Sequence, residues 1–412
     1  MNTIAIISEY NPFHKGHKYH IEAVKEQFDA DNIVCIMSGS FVQRGEPAMF
    51  DKWSRAKMAL YGGADLVIEL PFVYSCQPAE LFAFGAVNIL NNLGIIDGIC
   101  FGSEIGETAI LKSIAELLLN EPEDFSSLVK QYLKLGTTYP RSVSLALEDY
   151  YSENAHVDSH ILENPNNILG IEYIKSIIQL KSPMIPYTIK RVENNYNDEE
   201  LTDEIASATA VRNEVKGFGL SEKLKLSLPQ TSYDIIQQDT LKGKAPVYLN
   251  SLSDVLLYRI RTMKTEQLQE YISHKEGIEF RIKKAADQAT CVEELIENIK
   301  TKRYTRAFIQ RLLCHILLDL KWEDSKAFKQ PGIPSYTRVL GFNDKGKQLL
   351  RSINNVSQFP VINKVADFKV NNPLLNKMFD YDLRASDIYN LARPGNSYKR
   401  AGEDYLSSPI YI

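Results

Sequence analysis

Short apolar segments alternate with amphipathic segments along the first 110 residues of the chain. Four of them combine isoleucine, valine, leucine and cysteine with little polar alternation, which is typical of parallel strands that are buried on both faces. These four segments are residues 3–8, 33–38, 65–70 and 98–101. Helices are predicted between them over residues 17–28, 52–61 and 78–93. Strands joined by helices predict a doubly wound, Rossmann-like α/β fold around a parallel sheet.

The pattern changes after residue 105. Apolar residues recur at helical spacing over 111–119 and 125–135, and this spacing predicts a helical insertion. A helix, a strand and the start of another helix follow, and beyond residue 240 the chain is mostly helical, with shorter mixed elements after 330. The predicted later elements are helices over 168–180, 256–272, 278–289, 292–299 and 305–320, a strand over 187–192, and a helix opening near 207.

These patterns divide the chain into three parts. We expect residues 1–104 and 160–235 to form the α/β domain and residues 105–159 to form the helical insertion. Residues 236–412 are expected to form a mainly α-helical C-terminal domain. A length of 412 residues suits two or three domains.

Composition is that of an ordinary globular protein, with 44% hydrophobic and 24% charged residues. The net charge of −5 means that the whole chain is not an obvious nucleic-acid binder, although a local basic surface is compatible with it. No signal peptide and no apolar run of roughly 18 residues is present, so we expect a cytoplasmic protein that does not enter a membrane. Five widely spaced cysteines are expected to be reduced thiols: Cys35, Cys76, Cys100, Cys291 and Cys314.

The candidate chemistry lies where the first predicted strand ends and a helix begins. His14, Gly16 and His17 form an HxGH sequence there. Gly16 lets the backbone approach a phosphate, and the helix N-terminus favours an anion by roughly 0.3–1 kcal/mol. The alternatives are surface histidines on an ordinary loop, or a zinc site, because His20 continues the spacing of three. No cysteine or carboxylate lies at a supporting spacing, so a phosphate site is favoured and no metal site is predicted.

Strand, HxGH and helix resemble the nucleotidyltransferase superfamily that is related to class I aminoacyl-tRNA synthetases. The sequence SATAVR at residues 207–212 is similar to the second superfamily motif, ISSTxxR, with Ala208 in place of its second serine. The match leaves Ser207, Thr209 and Arg212 as candidate phosphate contacts. No segment resembling KMSKS is found, so a synthetase is less favoured.

Four further sequences in order resemble one family, the bacterial tRNA(Met) cytidine acetate ligases. They are SEYNPFHKGH at 8–17, SGSFVQRGEP at 38–47, FGSE at 101–104 and PNNILGIEY at 165–173. The resemblance runs along the whole chain. It implies a Rossmann-like fold of the HUP type and an enzyme that uses ATP to activate acetate as acetyl-adenylate, releasing pyrophosphate. The acetyl group then passes to the exocyclic amine of the wobble cytidine in elongator tRNA(Met).

The resemblance also implies the residues of the ATP site. These are Ile7, Ser8, Glu9, Tyr10, Asn11, Pro12, Phe13, His14, Lys15, Gly16, His17, Lys18, Tyr19, His20, Gly102, Asn166 and Arg191. Gly102, Asn166 and Arg191 lie at predicted strand or helix ends on one edge of the sheet, where ligands of such folds bind. The alternative for Asn166 is a helix N-cap, and for Arg191 a surface ion pair. Mg²⁺ is expected to arrive on the phosphates.

A catalytic role is predicted for His14 and His17 and for Arg44 in the loop over 38–50. The Arg44 guanidinium is suited to hold acetate or pyrophosphate, with Lys52 and Arg55 adding positive charge. The alternative is a solvated loop with loose charges.

A tRNA surface is predicted in the segment IKTKRYTRAFIQR at 299–311, which has five basic and no acidic residues. On a helical wheel its basic residues share one side, with Tyr304 as a possible stacking ring. A solvated helix face is the alternative. The candidate tRNA contacts are Lys302, Arg303, Arg306 and Arg311, with Arg393, Lys399 and Arg400 as a possible extension.

Two other functions fit part of the sequence. An adenylyltransferase of cofactor synthesis, of the pantetheine-phosphate or nicotinate-mononucleotide type, shares both superfamily motifs but leaves about 200 C-terminal residues unexplained. A non-catalytic RNA-binding protein would not need the intact His14, Gly16 and His17.

Overall fold

A computed structural model describes residues 1–151, 159–191, 207–273, 277–330 and 332–412 of the protein. The main sheet has eight strands, and a two-stranded hairpin lies apart from it. The strands are β1 (Thr3–Ser8), β2 (Asn32–Ser38), β3 (Phe41–Val42), β4 (Glu46–Pro47), β5 (Leu66–Leu70), β6 (Gly98–Ser103), β7 (Ile185–Lys190), β8 (Thr337–Phe342), β9 (Val361–Ile362) and β10 (Ile410–Tyr411).

The predicted doubly wound α/β fold is confirmed. Five parallel strands lie in the order β5-β2-β1-β6-β7, so the chain moves to one side of β1 and then to the other. β2 and β5 are buried along their whole length, as expected for strands covered by helices on both faces. The order reverses between β1 and β6, and the crevice at such a point is where open α/β sheets bind ligands.

Nine helices lie in the first half of the described chain, and all but the third and the seventh, which were not predicted, lie close to their predicted positions. They are α1 (Lys15–Gln27), α2 (Lys52–Tyr61), α3 (Phe72–Ser75), α4 (Ala79–Asn92), α5 (Thr108–Asn120), α6 (Glu123–Lys134), α7 (Tyr139–Tyr150), α8 (Pro165–Gln179) and α9 (Ala208–Phe218). Asp51 caps α2 by accepting a hydrogen bond from the Ser54 amide at 2.8 Å. α5, α6 and α7 occupy the predicted insertion, and α5 packs against α8. Val192 and the predicted loop at 193–204 lie outside the described residues.

The C-terminal half is largely helical, with one division that the sequence pattern did not predict. The predicted helix over 256–272 is two helices followed by a 3₁₀ turn at Gln269–Tyr271. The helices are α10 (Glu222–Ser227), α11 (Gln230–Leu241), α12 (Ser253–Thr262), α13 (Thr265–Leu268), α14 (Ile278–Gln288), α15 (Val292–Ile299), α16 (Arg306–Leu318), α17 (Trp322–Ala327), α18 (Asp344–Val356), α19 (Pro373–Leu391) and α20 (Glu403–Leu406). No helix within the described ranges is both long and apolar enough to cross a membrane.

Three C-terminal strands extend the main sheet. β8 pairs antiparallel with β5, while β9 and β10 pair parallel with β8. The sheet is therefore mixed, and it contains strands from both sides of the predicted boundary at residue 236.

Buried ion pairs join the two halves of the chain where β5 and β8 lie side by side. The Lys52 ammonium lies 3.0 Å from both the Glu69 and the Asp404 carboxylates. The Arg338 guanidinium lies 3.2 Å from Glu69 and 3.1 Å from Asp404. All four side chains are only 2–3% exposed, so each charge depends on its partners.

Candidate active site

A cavity of ≈ 270 Å³ opens at the carboxyl ends of β1, β6 and β7, where the strand order reverses. The loop between β1 and α1 forms one wall, and the N-termini of α8 and α9 face it. Among the described residues, four cationic side chains line the cavity against one carboxylate, that of Glu9. The cations are Arg44, Lys190, Arg191 and Arg212. This excess of positive charge suits a polyanion.

The two HxGH histidines each have one ring nitrogen bound to the backbone. His14 Nδ1 accepts a hydrogen bond from the Gly16 amide at 3.1 Å, and His17 Nδ1 accepts one from the His14 amide at 3.2 Å. The two rings stack with centroids 3.7 Å apart. An imidazole that accepts at Nδ1 carries its proton on Nε2 when neutral. Both residues therefore have Nε2–H as their available donor.

Burial keeps these histidines neutral. It lowers the pKa of His14 to about 3, and the positive charges of Arg191 and Arg212 act in the same direction. The pKa of His17 lies well below its usual value through burial, His14, Arg191 and His20. Burial and Arg191 lower the pKa of His20 to about 4. Within the described ranges, no three His, Cys, Asp or Glu side chains are arranged so that they could hold a metal ion. This includes His14, His17 and His20.

Asn11 connects the HxGH loop to the second superfamily motif. Its side-chain oxygen accepts from the Met49 amide at 2.7 Å, and its backbone oxygen accepts from Arg212 at 3.1 Å. Arg212 also donates to the Thr209 hydroxyl at 3.2 Å. Ser207 caps α9 by accepting from the Ala210 amide at 3.0 Å. The structure thus brings the first and second motifs to one cavity.

Three buried polar atoms at the cavity have no hydrogen-bond partner in the part of the chain that the structure describes. They belong to lining residues and are Ser8 Oγ, Asn11 Nδ2 and Gln43 Nε2. Most buried polar groups are paired in native proteins, so unpaired ones at a cavity indicate a polar ligand.

The far side of the cavity is organised by Glu104. Its carboxylate accepts from the side-chain amide of Asn166 at 2.7 Å and from the Asn167 backbone amide at 2.9 Å. Asn166 is therefore not the N-cap of α8, which is Asn164. At Gly102 an added Cβ would lie 3.2 Å from the side chain of Arg191, so glycine leaves room for that arginine.

Arg44 lines the cavity as predicted, but Lys52 and Arg55 do not. Arg55 is fully buried, and its guanidinium donates to backbone oxygens of the loops after β1 and β2, including Glu9 at 2.7 Å and Ser38 at 2.9 Å. Lys52 belongs to the buried ion pairs. The expectation is wrong for Lys52, whose charge is paired away from the cavity, while Arg55 places its charge behind the Glu9 backbone rather than in the cavity. Arg55 instead fixes the loops that carry Glu9 and Arg44.

The family model described as HIGH Nucleotidyl Transferase matches residues 1–404. A tRNA(Met) cytidine acetate ligase from Acetivibrio thermocellus is 42% identical over 416 residues, and one from a Thermoanaerobacter species is 44% identical over 413 residues. Both alignments cover 100% of each chain. The chain belongs to the tRNA(Met) cytidine acetate ligase family.

Two solved structures of the same fold cover 100% of both chains at 32% identity. They are the apo form of Thermotoga maritima TmcAL, with a TM-score of 0.93, and the form bound with alpha-thio ATP, with a TM-score of 0.91. The nucleotide analogue is bound in the Thermotoga maritima structure. The similarity between that structure and this chain extends over the whole fold.

Thirteen of the seventeen residues implied for the ATP site line the cavity, as do Ser207, Thr209 and Arg212. The exceptions are Pro12, Phe13, Lys15 and Lys18. Phe13 is fully buried and packs against the rings of Tyr10 and His17, so it stabilises the loop between β1 and α1 from the core side. Lys18 points outward to Glu22 at 3.6 Å.

Sequence reasoning missed an apolar part of the cavity. Phe82 from α4, Phe101 from β6, and Leu169 and Tyr173 from α8 all line it, together with Gln43. Gln43, Phe101, Leu169 and Tyr173 lie inside the four sequences on which the family resemblance rests. In the sequence, apolar residues that line a cavity look the same as apolar residues of the core. The packing of α8 on the sheet shows which of them reach the cavity.

The prediction that the four candidate tRNA contacts share one helical face is wrong, because α16 begins only at Arg306. Their role in tRNA binding stays a prediction. Lys302 and Arg303 are exposed in the turn before α16. Arg306 pairs with Glu293 at 2.5 Å and Glu297 at 2.9 Å, both from α15. Arg311 donates to the Gln43 backbone oxygen at 3.3 Å and so contacts the hairpin beside the cavity.

The C-terminal extension of this basic surface also changes. Arg393 is 2% exposed and pairs with Asp51 at 3.3 Å and Glu403 at 2.7 Å, so it does not contribute to a surface. Lys399 and Arg400 are exposed.

Proposed function

We propose that this protein is an ATP-dependent ligase that activates acetate as acetyl-adenylate and acetylates the wobble cytidine of elongator tRNA(Met). The observation that carries the proposal is the cavity at the strand-order reversal. There, neutral histidines with available Nε2–H donors face four cationic side chains. Its support from relatives is the full-length match to tRNA(Met) cytidine acetate ligases and the TmcAL structure bound with alpha-thio ATP.

In the first step an acetate oxygen attacks the α-phosphate of ATP. The bond between the α-phosphate and the bridging oxygen breaks, and pyrophosphate leaves. Such a reaction needs positioning and charge neutralisation more than covalent help. His14 and His17 are assigned to donate to phosphate oxygens, and Arg44 and Arg212 to neutralise the departing pyrophosphate. Ser207 and Thr209 supply further phosphate contacts from the N-terminus of α9.

Mg²⁺ is proposed to accompany the triphosphate. The described residues of the cavity offer one carboxylate among four cations, a donor set that does not make a dedicated magnesium site. The phosphate oxygens themselves would therefore be the main ligands of the ion.

The second step needs the tRNA beside the cavity. At Gly45 an added Cβ would lie 2.2 Å from the backbone nitrogen of Arg311, so the β3–β4 hairpin packs directly on α16. Lys302 and Arg303, in the turn that leads into α16, are proposed to contact RNA phosphates, with Arg306 and Arg311 supporting that surface. The same hairpin carries Gln43 and Arg44 of the nucleotide cavity, so it connects α16 to that cavity.

The test is ATP–pyrophosphate exchange with labelled pyrophosphate. Exchange that requires acetate supports the ligase. Exchange only with phosphopantetheine or nicotinate mononucleotide would support a cofactor adenylyltransferase instead. RNA binding with no exchange under any of these conditions would indicate a non-catalytic protein and contradict the proposal.

A further inference from the structure

Glu9 is the single carboxylate among the described residues that line the nucleotide cavity. It lies directly after β1, two residues before the Asn11–Arg212 contact. The phosphate chemistry described above gives it no role, because a carboxylate repels phosphate. A negative side chain kept inside a polyanion site therefore requires its own explanation.

Transfer of an acetyl group to an amine releases a proton. The lone pair of a cytidine exocyclic amine is delocalised into the ring, so the amine is a weak nucleophile that gains from a base as the new bond forms. Nitrogen exchanges one hydrogen for the acetyl group, and that proton needs an acceptor within reach.

The other titratable groups of the cavity are poor acceptors. His14 and His17 have their Nδ1 atoms occupied by backbone amides and present Nε2–H, which donates. The arginines and Lys190 are cations. His20 also lines the cavity, but burial and Arg191 lower its pKa to about 4, and its Nε2 lies 3.7 Å from the Cys100 sulfur. The Glu9 carboxylate is the one anionic acceptor among the described cavity residues.

Glu9 is held firmly in place. Its Oε1 accepts a hydrogen bond from the Gln43 amide at 2.8 Å, and its backbone oxygen accepts from the buried Arg55 at 2.7 Å. A carboxylate has about four acceptor positions, so one bond to Gln43 leaves room for a substrate proton.

The electrostatic surroundings favour a base. Burial raises the pKa of the Glu9 carboxyl, and Glu46 acts in the same direction. The Gln43 amide, Arg212 and Arg44 oppose this and favour the ionised form. The phenol of Tyr173, on α8, also faces the carboxylate, and burial together with Glu9 raises the pKa of that phenol. A raised pKa brings a carboxylate closer to the basicity that proton transfer at neutral pH requires.

The nucleotide cavity meets a second pocket at Arg212, a cation close enough to Glu9 to lower the pKa of its carboxyl. A second pocket of ≈ 130 Å³ shares Arg212 with the nucleotide cavity and extends to Arg306 at the start of α16. Its wall includes Glu46, Tyr248 and Asn250. Glu9 lines the nucleotide cavity but not this second pocket, so it lies on the nucleotide side of Arg212.

We propose that Glu9 is the general base that accepts the proton of the cytidine amine in the acetyl-transfer step. The amine nitrogen bonds to the carbonyl carbon of acetyl-adenylate, the bond from that carbon to the phosphate oxygen breaks, and AMP leaves. One amine proton passes to the Glu9 carboxylate and later to solvent. The inference rests on the proposed function, because it assigns a residue to that function's second step.

Glu9→Gln tests the assignment, since glutamine keeps the shape and can still accept from the Gln43 amide. Two reactions are measured on the full-length protein: acetate-dependent ATP–pyrophosphate exchange, and single-turnover transfer of labelled acetyl from enzyme-bound adenylate to elongator tRNA(Met). We expect transfer to slow by roughly 10²–10⁴-fold. Glu9 also lines the ATP cavity, so exchange should fall too, but far less than transfer. Wild-type transfer should fall at acidic pH as the carboxyl becomes protonated, and the variant should lose this dependence.

Glu26→Gln, an exposed change on α1, is the matched control and should leave both reactions unchanged. A loss of exchange in Glu9→Gln as large as the loss of transfer, or a changed Mg²⁺ requirement for exchange, would overturn the assignment in favour of a nucleotide or metal role. Loss of transfer in Glu46→Gln but not in Glu9→Gln would also overturn it. Absence of acetate-dependent exchange in the wild type would instead contradict the proposed function itself.

Discussion

The two HxGH histidines differ from surface histidines because the backbone fixes which nitrogen carries the proton. Each Nδ1 accepts an amide hydrogen, and His14 and His17 stack at 3.7 Å. Two imidazolium rings at that distance would repel each other, and burial further lowers the pKa of both rings. Two uncharged donors held in register are suited to a phosphate whose charge rises during reaction.

Replacement of His17 by alanine should therefore slow adenylate formation. We expect His17→Ala to lower acetate-dependent exchange by roughly 10²–10³-fold, the usual loss for one oriented donor. His17→Gln, whose amide nitrogen lies near the position of Nε2, should recover part of the rate. The exchange assay measures both, and a normal rate in His17→Ala would remove His17 from the mechanism.

The buried histidines also predict how stability depends on pH. Above pH 6.5 the His20 ring is neutral in both the folded and unfolded states. As the pH falls below 6.5, His20 becomes protonated in the unfolded chain, whereas in the folded protein it stays neutral until about pH 4. The free energy of unfolding therefore decreases. For His20 the loss between pH 7 and pH 5 should be about 2 kcal/mol.

Urea unfolding at pH 7 and pH 5 checks this value by comparing the wild type with His20→Gln. The variant lacks the titrating ring, so its free energy of unfolding should fall less over that interval. Equal decreases in the two proteins would show that the His20 ring takes up a proton in the folded state as readily as in the unfolded chain.

At the scale of elements, local signals predicted the secondary structure well where capping and buried runs were clear. β1, α2 and α15 lie at their predicted positions, and Ser207 and Asp51 cap helices through short-range hydrogen bonds that the sequence encodes locally. The predicted helix over 256–272 was wrong because its break between α12 and α13 has no glycine or proline to signal it.

Charge balance around α16 could not be predicted from its own sequence. The segment at 299–311 has no acidic residue, yet Glu293 and Glu297 on the preceding helix pair with Arg306 across the turn. These contacts depend on how α15 and α16 pack. The exposed positive charge of this segment lies instead in the turn before α16, at Lys302 and Arg303. The Arg303 guanidinium carbon lies 5.9 Å from the centroid of the Tyr304 ring.

That turn is where RNA binding should be most sensitive to salt. Charge reversal of Lys302 and Arg303 together should weaken binding of elongator tRNA(Met) and flatten the plot of log affinity against log salt by roughly 1.5 units. Arg306→Gln should have a smaller effect because its charge is already paired. Charge reversal of Lys112 and Lys130 together, both exposed on α5 and α6, is the charge-matched control. Unchanged salt dependence in the double variant would place the RNA elsewhere.

At the scale of the whole molecule, the parallel core and its strand-order reversal followed from the sequence, but the C-terminal strands did not. β9 and β10 are two residues long, and β8 pairs with a strand more than 260 residues earlier. Such pairing depends on tertiary packing rather than on local pattern. The same packing buries Lys52 and Arg338 against two carboxylates, which no spacing in the sequence indicates.

Because those charges are buried, loss of one partner should destabilise the whole protein. Asp404→Asn leaves Glu69 as the one described carboxylate within salt-bridge distance of Lys52 and Arg338, and we expect the free energy of unfolding to fall by about 3–5 kcal/mol. Asp367→Asn, at an exposed position, should change it little. Denaturant unfolding measures the free energy of unfolding of both variants. If the two variants were equally stable, the buried ion pairs would not be what holds the two halves of the chain together.

The candidate site shows the same division between local and tertiary information. The loop from β1 to α1 and the motif at 207–212 were predicted because their chemistry is contained in a few adjacent residues. Phe82 and Tyr173 were missed because their role comes from helices that fold back over the sheet. Glu9 was predicted to contact ATP, but its isolation as a carboxylate among cations is visible only once the cavity is assembled.

The central claim is that acetate reaches a cytidine of tRNA through this cavity. Incubation of the protein with ATP, isotopically labelled acetate and elongator tRNA(Met), followed by mass analysis of the nucleosides, measures it directly. The claim predicts one labelled acetyl group on the wobble cytidine, and none when that cytidine is replaced by uridine. Unmodified cytidine at the wobble position after ATP and acetate have been consumed would contradict it.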